Sequence, residues 1–267
     1  MSKKLMVAGC SFMAPSNTHP GTSFAEVMAC ELNWELQNLA RQGCSNGGVR
    51  IQIDEIIRQR PEFAIIGPTF PNRMELPATA APFDFSTPHL GRGAEIEQHL
   101  LNPEIQYGYD AAAGIDNINY GNNNYRMICE TIFSLAENYS HDYRSSKLDK
   151  STNLAIKYYI NHIYDANWKC QMDRWIISDG IVKMYEAGLN FIVVTNNLWL
   201  DPVQADADIP QLVLRKHLML DTALCPVMVT SAYPYTGTDP GYHGSPTSQI
   251  QLAQLYLGMM RDRFGII

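Results

Sequence analysis

The fold of this chain is decided by the stretch Leu5-Met6-Val7-Ala8-Gly9-Cys10-Ser11-Phe12. Its first four residues are apolar and predict a short buried strand, of the kind found inside parallel sheets. Gly9 and Ser11 then fall where the strand turns toward a helix. Small residues at this turn allow the Ser11 hydroxyl to stand at the carboxyl edge of the sheet, where open α/β sheets bind their ligands.

Apolar runs and amphipathic stretches alternate over much of the remaining sequence. Ser23, followed three residues later by Glu26, predicts a capping box at the start of the first helix. Alternating strands and helices predict a parallel sheet covered by helices. The periodicity predicts helices over residues 24–32, 49–60 and 248–264, strands over residues 34–39, 63–66, 191–194 and 226–229, and a loop over residues 43–48.

The segment that follows the third strand is much longer than an ordinary crossover between parallel strands. Within it, the sequence predicts a long helical region over residues 125–187, in two or three pieces. No flexible linker flanks the segment. We therefore predict one α/β domain over residues 1–267, with a helical and loop insertion over residues 74–175 that packs over the edge of the sheet.

The composition excludes several classes of function. Hydrophobic residues make up 46% of the chain, which is enough for a packed core, and the net charge of −7 argues against nucleic acid as the main partner. No apolar run approaches the ~20 residues of a membrane span, and the N-terminal apolar run is too short for a signal peptide. Six scattered cysteines favour a reducing compartment, with Cys10, Cys30 and Cys44 expected to be buried.

Three further blocks follow the opening one in a fixed order. The second is Asn38-Leu39-Ala40-Arg41-Gln42-Gly43-Cys44-Ser45-Asn46, the third runs from Phe63-Ala64-Ile65-Ile66-Gly67-Pro68-Thr69 to Arg73, and the last is Asp239-Pro240-Gly241-Tyr242-His243. Together with Gly9-Cys10-Ser11, this series resembles the SGNH (GDSL-like) hydrolase superfamily over nearly the whole chain. The variants of the first two blocks look like a divergent branch associated with bacteriophage and environmental bacterial genomes.

The resemblance implies a three-layer flavodoxin-like sandwich with a mostly parallel sheet, and a serine hydrolase that needs no cofactor or metal. Members of the superfamily carry Ser in an opening Gly-Asp-Ser, Gly in the second block, Asn in the third, and Asp-x-x-His near the end. This chain departs from that pattern at three places. Cys10 stands where Asp is usual, Thr69 stands where Asn is usual, and the spacing from Asp239 to His243 is one residue longer.

Ser11 is the candidate nucleophile. A serine hydroxyl is unreactive at neutral pH until a base takes its proton, and His243, in a loop before the closing helix, is the candidate base. Asp239 would orient the imidazole and stabilise the imidazolium. Simpler roles stay open, since His243 could be a loop histidine and Asp239 a turn residue in Thr-Asp-Pro-Gly. A Ser11–His243 dyad without Asp239 is a further alternative.

An oxyanion hole is also implied by the resemblance. Its donors would be the backbone N–H groups of Ser11 and Gly43 and the side-chain hydroxyl of Thr69, with Asn72 as the alternative to Thr69. A threonine hydroxyl can donate, but it is shorter than an asparagine amide and can instead form a local hydrogen bond.

Three residues of these blocks are candidates for contact with a substrate, namely Asn46, Asn72 and Arg73. Arg73 would bind a carboxylate or sulfate, or would instead clamp the Pro-rich loop to Glu75. Asn46 would hold its own loop through an Asx-type hydrogen bond.

The function predicted by these observations is a serine esterase that hydrolyses an ester or O-acetyl group through an acyl-enzyme. The insertion is rich in Tyr and Asn, which favours an acylated carbohydrate over a lipid. Two alternatives stay open, an acyltransferase of the same fold and an inactive binding or assembly module, for instance in a phage particle. The expected location is cytoplasmic, or virion-associated if the gene belongs to a phage.

Overall fold

The computed structural model describes residues 2–15, 20–40, 44–69, 71, 73–77, 107–110, 115–120, 123–131, 155, 158–194, 213, 216–219 and 245–266. For residues 74–77, 107–110, 115–120, 123–131 and 218–219 it describes the backbone alone. The elements in chain order are β1 (Lys4–Gly9), α1 (Phe24–Leu32), β2 (Glu35–Asn38), α2 (Asn46–Gln59), β3 (Phe63–Gly67), β4 (Arg73–Pro77), β5 (Tyr107–Asp110), β6 (Ile115–Tyr120), β7 (Asn123–Thr131), α3 (Ala166–Glu186), β8 (Phe191–Val194), β9 (Leu218–Met219) and α4 (Pro246–Phe264).

The main sheet is parallel and has the strand order β2-β1-β3-β8-β9. This is the flavodoxin-like order of a doubly wound α/β fold. The chain crosses from β1 to β2 in one direction and from β2 through β3 to β8 in the other. The strand order therefore reverses between β1 and β3, which makes their carboxyl ends the topological switch point of the sheet.

One face of the sheet packs against α1 and α4, which also contact each other. The N–H of Phe24 at the start of α1 donates to the side-chain oxygen of Gln249 in α4, at 2.9 Å. The rings of Phe24 and Tyr256 meet edge to face with centroids 5.2 Å apart. The core on this face includes Leu5, Val7, Phe63, Ile65, Ile192, Val194, Met28 and Leu252.

The opposite face packs against α2 and α3, which contact each other along their lengths. Because strand side chains alternate between faces, the intervening strand residues lie here. The core on this face includes Met6, Ala8, Ala64, Ile66, Phe191, Val193, Ile53, Ile56, Ile177 and Ile181. Helices cover both faces, so the protein is a three-layer α/β/α sandwich, as the sequence predicts.

Local capping signals explain several helix ends. The Ser23 hydroxyl accepts from the N–H of Glu26, and the Glu26 carboxylate accepts from the N–H of Ser23 at 3.0 Å, which confirms the predicted capping box. Helix α2 ends at Gln59, and its cap Arg60 has a left-handed conformation just before Pro61, which has no N–H to continue the helix.

Part of the insertion is a second sheet. Strands β4, β7, β6 and β5 pair in that spatial order, and every pairing is antiparallel. The prediction of helix over residues 125–187 is therefore wrong where β7 lies, and the insertion over residues 74–175 is not simply helical. It holds over α3. Strand pairing depends on cross-strand partners, so the local periodicity of a polar strand carries little signal.

Two smaller predictions also need correction. Helix α2 begins at Asn46, inside the predicted loop over residues 43–48, because Ser45 caps it by accepting from the N–H of Gly48 at 3.3 Å. Cys10 and Cys44 are buried, but Cys30 lies on the exposed side of α1. The strand predicted over residues 226–229 lies outside the described residues. None of the helices in the described ranges combines the length and apolar character that crossing a membrane requires.

Candidate active site

The candidate site lies where β1 and β3 end side by side. Gly9 and Gly67 are the last residues of these strands and are register partners. Ser11 and Thr69 each follow two residues later along the chain. The sheet therefore brings the first and third sequence blocks together at its switch point, where doubly wound folds bind their ligands.

Ser11 sits in a tight turn that follows β1. The N–H groups of Met13 and Ala14 both donate to the carbonyl of Cys10, at 2.9 and 3.1 Å. Ser11 is 9% exposed, whereas Cys10 is fully buried in the core facing α2 and α3. The expectation that Cys10 is buried is confirmed.

Gly9 allows this turn because it has a backbone conformation that side chains rarely adopt, with φ at +150°. A Cβ at this position would lie 2.7 Å from the carbonyl oxygen of Gly67 and would collide with the side chain of Met13. The Gly9 N–H donates to the side-chain oxygen of Gln52 at 2.6 Å, and the Gln52 amide nitrogen contacts the sulfur of Cys44 at 3.3 Å. The buried Gln52 thus joins the end of β1 to the start of the α2 segment.

Thr69 is held by the side chain of Asn46, and both residues are fully buried. The N–H of Thr69 donates to Asn46 Oδ1 at 2.8 Å, and Asn46 Nδ2 donates to the carbonyl of Thr69 at 2.9 Å. The Asn46 amide therefore pins both backbone polar groups of Thr69. The Thr69 hydroxyl has no hydrogen-bond partner among the described residues.

Asn46 is in turn bound by a carboxylate from α3. Its Nδ2 also donates to Asp173 Oδ2 at 2.9 Å, and the other oxygen of Asp173 forms an ion pair with Lys169 one turn earlier in the helix. Asp173 is fully buried and the Lys169 side chain is 15% exposed. The hydrogen bonds of Asn46 are thus long-range contacts to Thr69 and Asp173. The predicted Asx-type bond within its own loop is replaced by these contacts.

The Arg73 side chain, at the start of β4, forms a hydrogen bond within the fold. Its guanidinium donates to the carbonyl of Cys44 at 2.6 Å, which ties the start of the second sheet to the residue before the α2 cap. The predicted alternative, a clamp to Glu75, concerns a side chain outside those described.

Four of the predicted site residues lie outside the described residues, namely Gly43, Asn72, Asp239 and His243. The other four predicted site residues, Ser11, Asn46, Thr69 and Arg73, lie at one end of the sheet. Within the described part of the chain, no three His, Cys, Asp or Glu side chains group together as a metal site requires.

Sequence reasoning missed three residues that shape this end of the sheet, namely Gln52, Lys169 and Asp173. Lys169 and Asp173 lie one turn apart in a helix, a spacing that is typical of an ordinary surface ion pair. Gln52 lies between Ile51 and Ile53 in α2, a helix that also buries the polar side chains of Asn46 and Glu55. With Arg50 and Asp54 on either side of Ile51-Gln52-Ile53, the sequence carries no signal that singles Gln52 out.

Chemically, the arrangement places a serine in a tight turn on one strand end. On the neighbouring strand end it places a buried hydroxyl that has no hydrogen-bond partner among the described residues. A donor in dry surroundings acts more strongly on a developing negative charge than the same donor in water. The chain matches no protein-family model and no curated protein sequence at a significant level.

Proposed function

We propose that this protein is a serine hydrolase of the SGNH type, which cleaves a carboxylic ester or O-acetyl group with Ser11 as the nucleophile. The observation that carries the proposal is the juxtaposition of the Ser11 turn and the Thr69 hydroxyl at the switch point between β1 and β3. A plain structural turn would not require a buried hydroxyl that lacks a partner in the described part of the chain, since leaving a buried donor unsatisfied costs about 1–3 kcal/mol.

In this proposal His243 is the general base. It accepts the proton of the Ser11 hydroxyl as the oxygen attacks the ester carbonyl carbon, and it returns that proton to the departing alcohol. Water then attacks the acyl-enzyme by the same route and releases the acid. Asp239 orients the imidazole and stabilises its charged form.

The oxyanion formed in each step is stabilised by the backbone N–H groups of Ser11 and Gly43 and by the Thr69 hydroxyl. Support for Thr69 comes from the rigidity of its backbone, because the Asn46 amide bonds both of its polar groups. A donor that is already oriented costs no reorganisation during the reaction. Asn72 remains the alternative donor.

The substrate class we favour is an acylated carbohydrate, with Arg73 and Asn72 near the acyl or sugar group. The insertion supports this choice through its many Tyr and Asn residues, which suit sugar faces and hydroxyls. An acyltransferase would form the same acyl-enzyme and differ only in the acceptor. Comparing water with added sugar alcohols as acceptors of the acyl group separates the two activities.

Labelling with a fluorophosphonate probe tests the proposal directly. Wild type should be labelled at one serine and should show a burst with p-nitrophenyl acetate. Ser11→Ala and His243→Ala should lose both signals, because losses of nucleophile or base reach ~10⁶-fold in rate. Cys10→Ala is the matched control, and it should keep labelling because that side chain is buried in the core. Wild type that is neither labelled nor active is an inactive module, and the proposal is then wrong.

A further inference from the structure

Asp173 is a fully buried carboxylate on α3, far in sequence from the blocks that form the candidate site. It lies 127 positions from Asn46, whose side-chain nitrogen it binds at 2.9 Å. Its second oxygen forms an ion pair with Lys169. The pair sits where α3 packs on the first turn of α2, directly behind the end of β3.

The carboxylate supports the orientation of the Asn46 amide that the Thr69 backbone also requires. An amide flip would place Asn46 Oδ1 against the Asp173 carboxylate and Nδ2 against the N–H of Thr69, so acceptor would face acceptor and donor would face donor. In the observed orientation all three contacts are complementary. Two of these contacts are made by the Thr69 backbone itself, and Asp173 adds a third that reinforces the same orientation.

A buried ion pair is not explained by stability alone. Apolar residues of similar volume often replace such pairs with no loss of stability, because burying the charges costs as much as their attraction returns. The same two helices also share a surface ion pair, in which Arg50 of α2 binds Asp179 of α3 at 2.9 Å and Lys183 binds that carboxylate at 2.8 Å. Asp173 differs from Asp179 because it binds Asn46, which in turn binds Thr69 of the candidate site.

We propose that Asp173 is a positioning residue, which acts through Asn46 to hold the Thr69 hydroxyl in line with the oxyanion. The inference rests on the proposed esterase function. Lys169 contributes by neutralising the buried carboxylate, and neither residue touches the substrate. The expected consequence is a contribution to kcat, since a displaced oxyanion donor affects the transition state more than substrate binding.

Two double variants test this inference. Lys169→Met with Asp173→Leu removes the acceptor for Asn46 without leaving a buried charge, and it should lower kcat about tenfold at unchanged KM. Lys169→Met with Asp173→Asn keeps a neutral acceptor for Asn46 and should recover kcat to within about twofold of wild type. If the leucine variant does not fold, Asp173→Ser with Lys169→Met replaces it, because the shorter side chain does not reach Asn46.

The matched control is Lys183→Met with Asp179→Leu, which removes the surface pair between the same helices and should leave kcat unchanged. Thermal unfolding of all variants separates positioning from simple destabilisation, because a purely structural role would lower Tm and leave kcat of the folded enzyme intact. An unchanged kcat in a folded leucine or serine variant of an active enzyme overturns the inference alone. Absence of any activity in wild type overturns the proposed function and this inference together.

A double-mutant cycle supplies an independent readout. If Asp173 acts through the Thr69 hydroxyl, its loss should cost little further kcat once Thr69→Val has removed that hydroxyl. Losses that multiply fully would show that Asp173 acts on the reaction by another route, and the inference would then be wrong.

Discussion

At the scale of single residues, Thr69 combines a fixed backbone with an unused side chain. Its N–H and carbonyl are both bound by Asn46, and its hydroxyl is buried with no partner among the described residues. A hydroxyl buried in this way lowers stability, because it has lost its water without gaining a protein partner. Under the proposed function, the hydroxyl would gain a partner during the reaction, which would account for this cost.

Replacing Thr69 should therefore separate activity from stability. Thr69→Val keeps the shape, and we expect kcat to fall about tenfold or more at nearly constant KM while stability is unchanged or rises by up to about 1 kcal/mol. Steady-state kinetics and denaturant unfolding measure the two effects. Thr69→Asn, the residue usual in the superfamily, should preserve or raise activity.

Thr247→Val is the control for Thr69, since Thr247 is exposed in the first turn of α4, and it should leave kcat unchanged. A Thr69→Val enzyme with full kcat would remove Thr69 from the oxyanion hole. Asn72 would then be the donor to test.

At the scale of elements, the turn after β1 depends on close contact between two strand ends. Gly9 has φ at +150°, and a Cβ there would lie 2.7 Å from the carbonyl oxygen of Gly67 in β3. Because Gly9 N–H also binds Gln52 of α2, the same residue joins a strand, its neighbour and the covering helix. The Ser11 turn is thus positioned by three elements.

Gly9→Ala should destabilise the protein by more than about 1 kcal/mol, because the substitution adds both backbone strain and a collision with β3. Urea unfolding measures the loss. Gly265→Ala is the comparison, since Gly265 has φ at +63° with no atom near its Cβ position, and it gives the cost of a left-handed residue without a collision. Equal losses in the two variants would show that the contact with Gly67 contributes nothing.

At the scale of the whole molecule, His217 connects both helical layers at the edge of the main sheet. Its ring stacks on Phe191 of β8 with centroids 4.1 Å apart, and it meets Tyr185 of α3 and Phe264 of α4 at 5.8 and 5.3 Å. Its Nδ1–H donates to the carbonyl of Phe191 at 2.9 Å. Burial lowers the pKa of His217 below its ordinary value, and the nearby cations Lys216 and Arg263 lower it further against that hydrogen bond.

This lowered pKa makes folding stability depend on pH. Below the ordinary histidine pKa of about 6.5, the unfolded chain takes up a proton that folded His217 does not, so stability falls as pH falls toward the folded pKa. His217→Asn keeps a donor for the Phe191 carbonyl and should flatten the loss between about pH 7 and pH 5. Denaturation midpoints across this range measure the slope.

His162→Asn, at an exposed position, is the control for His217 and should keep the wild-type pH slope. If the His217 variant and wild type lose stability equally over this pH range, His217 is not the group responsible.

Much of the parallel sheet could be predicted from the sequence, because its signals are local. Residues 5–8, 63–66 and 191–194 are continuous apolar runs, which only a strand buried on both faces accommodates readily. The capping box at Ser23 and Glu26 involves residues three apart, so it is visible without any tertiary structure. The order of the sequence blocks also places Ser11 and Thr69 at strand ends.

Only the tertiary structure decided the rest, because the deciding contacts join residues distant in sequence. The second sheet depends on pairing between strands such as β4 and β7, which lie far apart in the sequence, so the sequence of either strand does not identify its partner. Asn46 and Asp173 are buried polar residues that become satisfied only when α3 packs on α2. Lys169 and Asp173 have the sequence spacing of a surface ion pair. Only the packing of α3 on α2 buries the pair and brings Asp173 to Asn46, which binds Thr69.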